Sequence, residues 1–197
     1  MARLPVSRSA AFDALSAGAQ FRDRIAIVAH APASAIFRAL FQVSLEDMRL
    51  AWWLGEIRYL PARLIGRAPP ADGRRPFMET LIDGGTLLLR DDRPTEIVTG
   101  SAGQLHRIVD QAPVLFADRA AFDTFDDSDH EKLFMSIRVA PTGVPGEQWL
   151  VLEHATRALS PAAAHKFQRY WIVIRPMGAL VTRQLLKVVA RLAERDH

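Results

Sequence analysis

The last third of the chain carries a long helical pattern that requires a concave apolar partner. Ser160 followed by Pro161 predicts the start of a helix, because serine caps the first turn and proline suits its first position. Apolar residues then recur at helical spacing and define one stripe: Phe167, Trp171, Ile174, Val181, Leu185, Val188 and Leu192. Pro176 and Gly178 are expected to kink or interrupt the helix. A stripe of this length favours a curved sheet that wraps around the helix. Where side chains do not fill the space between sheet and helix, an apolar cavity remains.

The positive charge of the chain is concentrated in the same segment. In residues 157–197 eight basic side chains outnumber two acidic ones, which leaves a net charge of +6 there and −3 before it. Arg183, Lys187, Arg191 and Arg195 recur every four residues and so share one helix face. The favoured interpretation is a solvated face, and phosphate or anionic-lipid binding is the alternative. Without a zinc-finger, basic-zipper or exposed-aromatic pattern, nucleic acid is not an expected partner.

The rest of the chain alternates between strand and turn patterns. Strands are predicted at residues 21–29, 77–82, 86–90, 96–99, 133–139 and 149–156. Asp83, Gly84 and Gly85 predict a hairpin between the second and third of these strands. Gly100 and Gly103 predict a bend or turn after the fourth.

Two short helices are predicted between the first and second strands. The first begins at Pro32, which suits a first helical turn. The second runs from Leu45 to about Leu54, after a capping box formed by Ser44 and Asp47. The fold class is therefore α+β: a strand, two helices, several antiparallel strands and one long C-terminal helix, around which a curved sheet is expected to wrap.

A length of 197 residues fits one domain of ordinary size. We expect residues 1–20 to form an N-terminal arm or a short helix capped by Ser9, and residues 21–197 to form a single domain. Residues 63–76, rich in Arg, Gly and Pro, predict a loop. A cytoplasmic location is expected, because the first 20 residues lack an apolar leader and no apolar run approaches membrane-spanning length. The oligomeric state stays open.

Several classes of chemistry are excluded by what the sequence lacks. The chain has no cysteine, which removes disulfides, thiolate metal sites and a cysteine nucleophile. It also has no glycine-rich nucleotide loop and no nucleophile elbow. The six histidines have no metal-binding spacing, and the acidic residues between Asp123 and Glu131 lack the glycine of a calcium loop. We therefore predict no metal, no cofactor and no assigned catalytic residue.

The last predicted strand carries polar residues on both of its faces. Leu152, His154 and Thr156 share one face, and Glu153 and Arg157 lie on the other with Ala155. Either a polar residue faces the inside and meets a partner or ligand, or its face is simply solvated. Tyr170 and Trp171 pose the same choice between packing and ligand contact.

Six blocks of residues resemble the START-like superfamily, also called SRPBCC, which includes polyketide cyclases and lipid-transfer domains. They are Ile57 to Leu64, Pro76-Phe77, Glu96 to Gly100, His154 to Arg157, Lys166 to Trp171 and Arg175 to Gly178. The chain looks like a bacterial branch of that superfamily. The resemblance implies a helix-grip fold with a cavity between sheet and helix. Similar proteins commonly have an acidic residue where this chain has Ala155. Either the neighbouring Glu153 substitutes for that carboxylate here, or its role is missing.

The resemblance and the residue pattern together give one set of candidate ligand-binding residues: Glu153, His154, Arg157, Phe167, Tyr170, Trp171 and Ile174. The first hypothesis is a cavity protein that binds a hydrophobic small molecule, such as a lipid or an aromatic metabolite. The second is a cyclase or dehydratase that uses His154 or Glu153 as acid–base, with Tyr170 and Arg157 polarising a carbonyl. The third is peripheral association of the basic C-terminal helix with a membrane surface.

Overall fold

The computed structural model of the protein describes residues 6–48, 73–107 and 114–196. Its strands are β1 (Phe21–Ala29), β2 (Leu87–Asp92), β3 (Glu96–Gly103), β4 (Glu131–Pro141) and β5 (Gln148–Ala158). Its described helices are α1 (Ala10–Leu15), α2 (Ala33–Gln42), α3 (Phe77–Asp83), α4 (Arg119–Thr124) and α5 (Pro161–Arg195). None of these helices combines the length and the hydropathy that crossing a bilayer requires.

The five strands form one curved antiparallel sheet in the order β1-β5-β4-β3-β2. Helix α5 packs on one side of this sheet, which we call the helix face and which carries Ile137 and Leu152. The opposite side, the back face, carries Phe134 and Ala155. The predicted α+β architecture is confirmed, and it is compatible with the helix-grip fold that the START-like resemblance implies.

The main hydrophobic core lies between the helix face, α2 and the C-terminal half of α5. Leu185, Leu186 and Val189 of α5 are buried there together with Ile36 and Leu40 of α2. The predicted basic row lies on the other side of the same helix, since Arg183, Lys187, Arg191 and Arg195 are all exposed. Burial of one side and hydration of the other is the arrangement expected of an amphipathic surface helix.

The back face has its own cover, made by α1 and α4. Phe12 of α1 and Phe122 of α4 are both 1% exposed and pack with Phe134 of β4. Helix α1 is capped by Ser9, whose hydroxyl accepts a hydrogen bond from the Phe12 backbone N–H at 3.2 Å. A short helix is therefore present at Ala10–Leu15, within the described residues 6–20.

Buried polar side chains fasten the N-terminal segment to the back face. Arg24 donates to the carbonyl oxygens of Val6 and Ser7, each at 2.7 Å. Glu96, 6% exposed, accepts hydrogen bonds from the hydroxyls of Ser9 at 2.7 Å and Ser136 at 2.6 Å. These contacts satisfy polar groups that would be costly to bury alone.

The prediction of a strand at residues 77–82 is wrong, because this segment forms helix α3. Pro76 sits at its N-cap, and Met78 and Leu81 turn toward the core at helical spacing. Gly84 caps its end, and Gly85 follows in the left-handed region at φ 90°. The hairpin consequently joins β2 to β3, and α2 and α3 are the two described helices between the first two strands.

Three other sequence expectations need correction. Strand β3 continues to Gly103 without the predicted turn at Gly100. Helix α5 continues through Pro176 without the interruption that was one of the two expectations there. Pro176 and Ile172, whose carbonyl loses its hydrogen bond there, are both exposed, so water can replace the bond. Residues 45–48 form a bend and a turn in place of a helix start.

The remainder of the predicted second helix and the block Ile57 to Leu64 lie outside the described residues. Helix α4, which no sequence pattern indicated, is capped by Asp118, whose carboxylate accepts the Ala121 N–H at 2.8 Å.

Two glycine-to-alanine substitutions should change stability in opposite directions. A Cβ at Gly100 would lie 2.6 Å from Leu89 Cδ1 and 2.8 Å from Phe122 Cζ. We expect Gly100→Ala to lower the free energy of unfolding by about 1–3 kcal/mol through overpacking. Gly178, with nothing within 4 Å of its Cβ position, is the matched control: Gly178→Ala should raise stability by about 0.5–1 kcal/mol. Urea denaturation measures both, and equal effects of the two would contradict the packing described.

Candidate functional site

A partly open cavity of about 290 Å³ lies between the helix face of the sheet and the N-terminal half of α5. Its strand and loop lining consists of Asp23, Leu105, Leu133, His154 and Thr156. Its helix lining consists of Phe167, Tyr170, Trp171, Ile174, Arg175 and Gly178. Five of the seven predicted ligand-binding residues therefore meet at one cavity.

The helix side of the cavity is an aromatic wall. The rings of Phe167 and Trp171 stack with centroids 5.8 Å apart. Phe21 of β1 meets Phe167 edge to face at 4.8 Å, and Tyr170 lies 5.7 Å from the same ring. Phe167 is 2% exposed and anchors the group. Flat apolar molecules pack well against such walls, because stacked and edge-to-face ring contacts add to burial of apolar area.

The strand side of the cavity carries two polar residues opposite each other in the ladder. Asp23 of β1 and His154 of β5 are register partners. Burial lowers the pKa of His154 to about 4, and the neighbouring Asp23 carboxylate only partly opposes this shift. His154 is consequently neutral at physiological pH. No group within the described ranges hydrogen-bonds its ring, so one nitrogen can donate to a ligand and the other can accept.

The charge of Asp23 is balanced from the helix. Arg175 Nη2 lies 3.6 Å from Asp23 Oδ1. With His154 neutral, the lining residues that the structure describes include one acid, Asp23, and one base, Arg175, and their charges cancel. An ionic ligand would thus lose its hydration without gaining a free counter-ion.

A turn at residues 104–107 closes one side of the cavity and is held by a buried carboxylate. Glu131, fully buried, accepts the backbone N–H of Leu105 at 2.8 Å and lies 2.9 Å from Nδ1 of His106. This places the Leu105 side chain against the cavity. We assign Glu131 no contact with a ligand, because the turn engages both of its carboxylate oxygens.

Glu153 and Arg157 lie on the back face, as the alternation along β5 predicts. Glu153 forms an ion pair with Arg24, with 3.0 Å between Oε1 and Nε, and burial raises its pKa. Arg157 donates to the carbonyl of Ala17 at 3.1 Å and stacks its guanidinium over Phe134. Both fasten the N-terminal segment, so the acid–base set that combined them with His154 and Tyr170 is not assembled in one place.

Asp23 and Arg175 line the cavity although neither belongs to the predicted ligand-binding set. The signal for Asp23 was present, since it is the charged residue in the row Asp23, Ile25 and Ile27 that alternation puts on one face of β1. Arg175 follows Trp171 by one helical turn and so shares its side of the helix. No group of three or more acidic or histidine side chains in the described part of the chain is arranged to hold a metal ion.

Comparison with known proteins does not identify a family for this chain. No family model matches it, and no curated protein matches it. Among solved structures, the crystal structure of CalU16 from Micromonospora echinospora is 14% identical and covers 88% of each chain, with a TM-score of 0.29. At that TM-score the likeness supports no functional argument, and the function has to be inferred from the cavity itself.

The lowered pKa of His154 predicts a specific dependence of stability on pH. An unfolded histidine, with a pKa of about 6.5, binds a proton that the buried one does not bind. The stability from neutral His154 is therefore present above about pH 6.5 and is lost as the pH falls toward 4. We expect His154 to account for a loss of roughly 2 kcal/mol between pH 7 and pH 5.

The measurement is urea denaturation of the wild type and of His154→Gln at both pH values. The variant should show a smaller loss than the wild type. His165→Gln, which removes an exposed histidine from the same helix as the cavity wall, is the control and should keep the wild-type loss. An unchanged loss in His154→Gln would contradict the burial of a neutral imidazole.

Proposed function

We propose that this chain binds an uncharged small molecule with a flat, apolar body and one polar group. One observation carries the proposal. The Phe167–Trp171 stack faces the His154 ring across one cavity, and none of the described residues hydrogen-bonds that ring. The flat body lies along the aromatic wall, and the polar group exchanges a hydrogen bond with His154. The volume of about 290 Å³ is at the small end of ligand pockets and suits a molecule of one or two rings.

Charge balance supports a neutral ligand over a fatty acid or another anion. The positive charge of Arg175 is opposed by Asp23 at 3.6 Å. An anion at this site would compete with Asp23 for the same guanidinium, and a cation would compete with Arg175 for the carboxylate. A hydroxyl, carbonyl or amide group avoids both costs and matches the donor and acceptor of a neutral imidazole.

Binding is favoured over catalysis for the same site. Of the predicted acid–base set, His154 and Tyr170 reach the cavity. General acid–base catalysis works best when the pKa lies near the working pH, and a histidine with a pKa of about 4 is a weak base at neutral pH. The residues of this site are therefore better suited to binding and orienting a molecule than to catalysing its reaction.

Filling the cavity should weaken binding of a probe of this class. Isothermal titration calorimetry with 2-naphthol, with 2-naphthalenesulfonate as its anionic counterpart, tests both shape and charge. We expect saturable binding of 2-naphthol and at least about tenfold weaker binding of the sulfonate, a difference of 1.4 kcal/mol or more. Ile174→Trp, which adds a large ring to the helix wall, should weaken 2-naphthol binding by at least about tenfold.

The matched control is Ile172→Trp, the same substitution two residues away on the exposed side of α5, where Ile172 is 69% exposed. It should bind 2-naphthol as the wild type does, and thermal melts should show both variants folded. Equal affinities of wild type and Ile174→Trp, tighter binding of the sulfonate, or no heat of binding up to millimolar 2-naphthol would each overturn the proposal.

A further inference from the structure

The middle of helix α5 has an apolar outer side that no other part of the described chain covers. From residue 168 to residue 181 the helix has no buried residue. Ile172, Val173 and Leu180 are 69%, 68% and 52% exposed. With the exposed Pro176 they form a strip along the side of the helix that faces away from the cavity, which we call the outer strip. Three large aliphatic side chains thus lie exposed together on one helix side, and contiguous exposed apolar patches are typical of interaction sites.

Cations continue the outer strip in both directions. Arg169 precedes it by one turn, and Arg183 and Lys187 follow it on the same side of the helix, all exposed. The sequence from residue 154 to residue 193 contains no Asp or Glu. Two cations of this helix do have partners, since Lys166 meets Asp129 and Arg175 meets Asp23. Arg169, Arg183 and Lys187 have no ion pair within the described residues.

We propose that the outer strip and its flanking cations dock on a membrane surface that carries anionic phospholipids. Aliphatic side chains between cationic ends are the composition of a helix that lies in the plane of a membrane interface, with its apolar residues among the acyl chains and its cations at the phosphates. Juxtaposed Lys and Arg residues add attraction to an anionic leaflet that falls off within a Debye length.

Other occupants fit the same surface less well. A nucleic acid would engage the cations but would place Ile172, Val173 and Leu180 against phosphates, where they gain nothing. A second copy of this chain would bring two rows of like charge together. A lipid surface satisfies both parts of the strip, so lipid is the occupant that the combined charge and apolarity favour.

The docked orientation has a consequence for the cavity. Phe167, Trp171 and Ile174 face the cavity from the same turns of helix that present Ile172 and Val173 outward. One helix diameter, about 10 Å, would then separate the cavity from the lipid interface. The docking surface does not depend on what the cavity binds, so vesicle binding and ligand binding can be tested independently of each other.

Vesicle co-sedimentation tests the proposal with the full chain. Vesicles of pure phosphatidylcholine are compared with vesicles that contain phosphatidylserine, at low and at high sodium chloride. We expect binding to the anionic vesicles that high salt weakens. Arg183→Glu with Lys187→Glu should lower the partition coefficient at least about 25-fold, at about 1 kcal/mol per cation. Ile172→Ser with Val173→Ser should lower it about tenfold or more, because buried apolar area is lost.

Matched variants elsewhere on the surface separate a local effect from a general one. Arg38→Glu with Arg74→Glu makes the same change in net charge at two exposed sites outside α5. Leu115→Ser removes an aliphatic side chain that is 72% exposed. Both should bind vesicles as the wild type does, and circular dichroism should show every variant folded.

Three results would overturn the proposal. The first is a wild-type partition that is the same for neutral and anionic vesicles. The second is tight binding to duplex DNA with none to anionic vesicles. The third is a dimer in light scattering that Ile172→Ser with Val173→Ser dissociates, because the strip would then be an interface between two copies of this chain.

Discussion

Burial of the C-terminal half of α5 against the sheet and α2 is the contact on which the rest of this molecule depends. Leu185, Leu186, Val188 and Val189 are buried there, and each such side chain stabilises the fold by roughly 1.5–3 kcal/mol. The other end of the helix is also fixed, since Ala163 is fully buried and its N–H is capped by Ser160. Between these two buried ends, residues 168–181 of the helix include no buried residue. The cavity lies between this part of the helix and the sheet.

A single strand supplies both the cavity and its support. Strand β5 lies within the sheet, between β1 and β4. Its alternation directs His154 to the cavity and Glu153 and Arg157 to the opposite side, where they bind the N-terminal segment through Arg24 and Ala17. Because these contacts fix the back of the strand, the imidazole on its front is held in place without hydrogen bonds from the described residues. A ligand would then meet a positioned donor and acceptor, which lowers the entropy cost of binding.

The parts of the fold with strong periodicity could be predicted from the sequence. The strand at residues 21–29 and the start of the last helix at Ser160 agree with the structure. The segment at residues 77–83 could not be assigned, because a short run with several large apolar side chains fits a strand as well as a helix, and only contact with the core decides. Read from the sequence, Gly100 suggests a bend in the chain. In the structure a glycine is needed there because Phe122 of α4 approaches so closely that a Cβ atom would clash with it.

The aromatic wall and His154 could be predicted from the sequence, whereas the ion pair of the cavity could not. Spacing alone places Phe167, Trp171 and Ile174 on one helix side and His154 on one strand face, and they do meet. Glu153 and Arg157 enter the predicted set through their place in a motif, although alternation already puts them on the other face. The pairing of Asp23 with Arg175 depends on how a strand near the N-terminus approaches a helix near the C-terminus, and no local pattern encodes that distance.

The two sides of α5 differ in their charge. The side that faces the cavity carries a compensated charge, whereas the outer side carries several exposed cations. Of the basic residues on the helix, Arg175 is the one that lines the cavity, and Asp23 compensates it. The exposed cations are hydrated, and salt weakens their interactions with other exposed charges beyond about 8–10 Å. In the two proposals above, the interior accepts neutral molecules and the exterior docks on anionic surfaces. A neutral apolar molecule is also the kind of solute that partitions into a membrane, so docking by the outer side would bring the cavity to the phase where such a ligand is most concentrated.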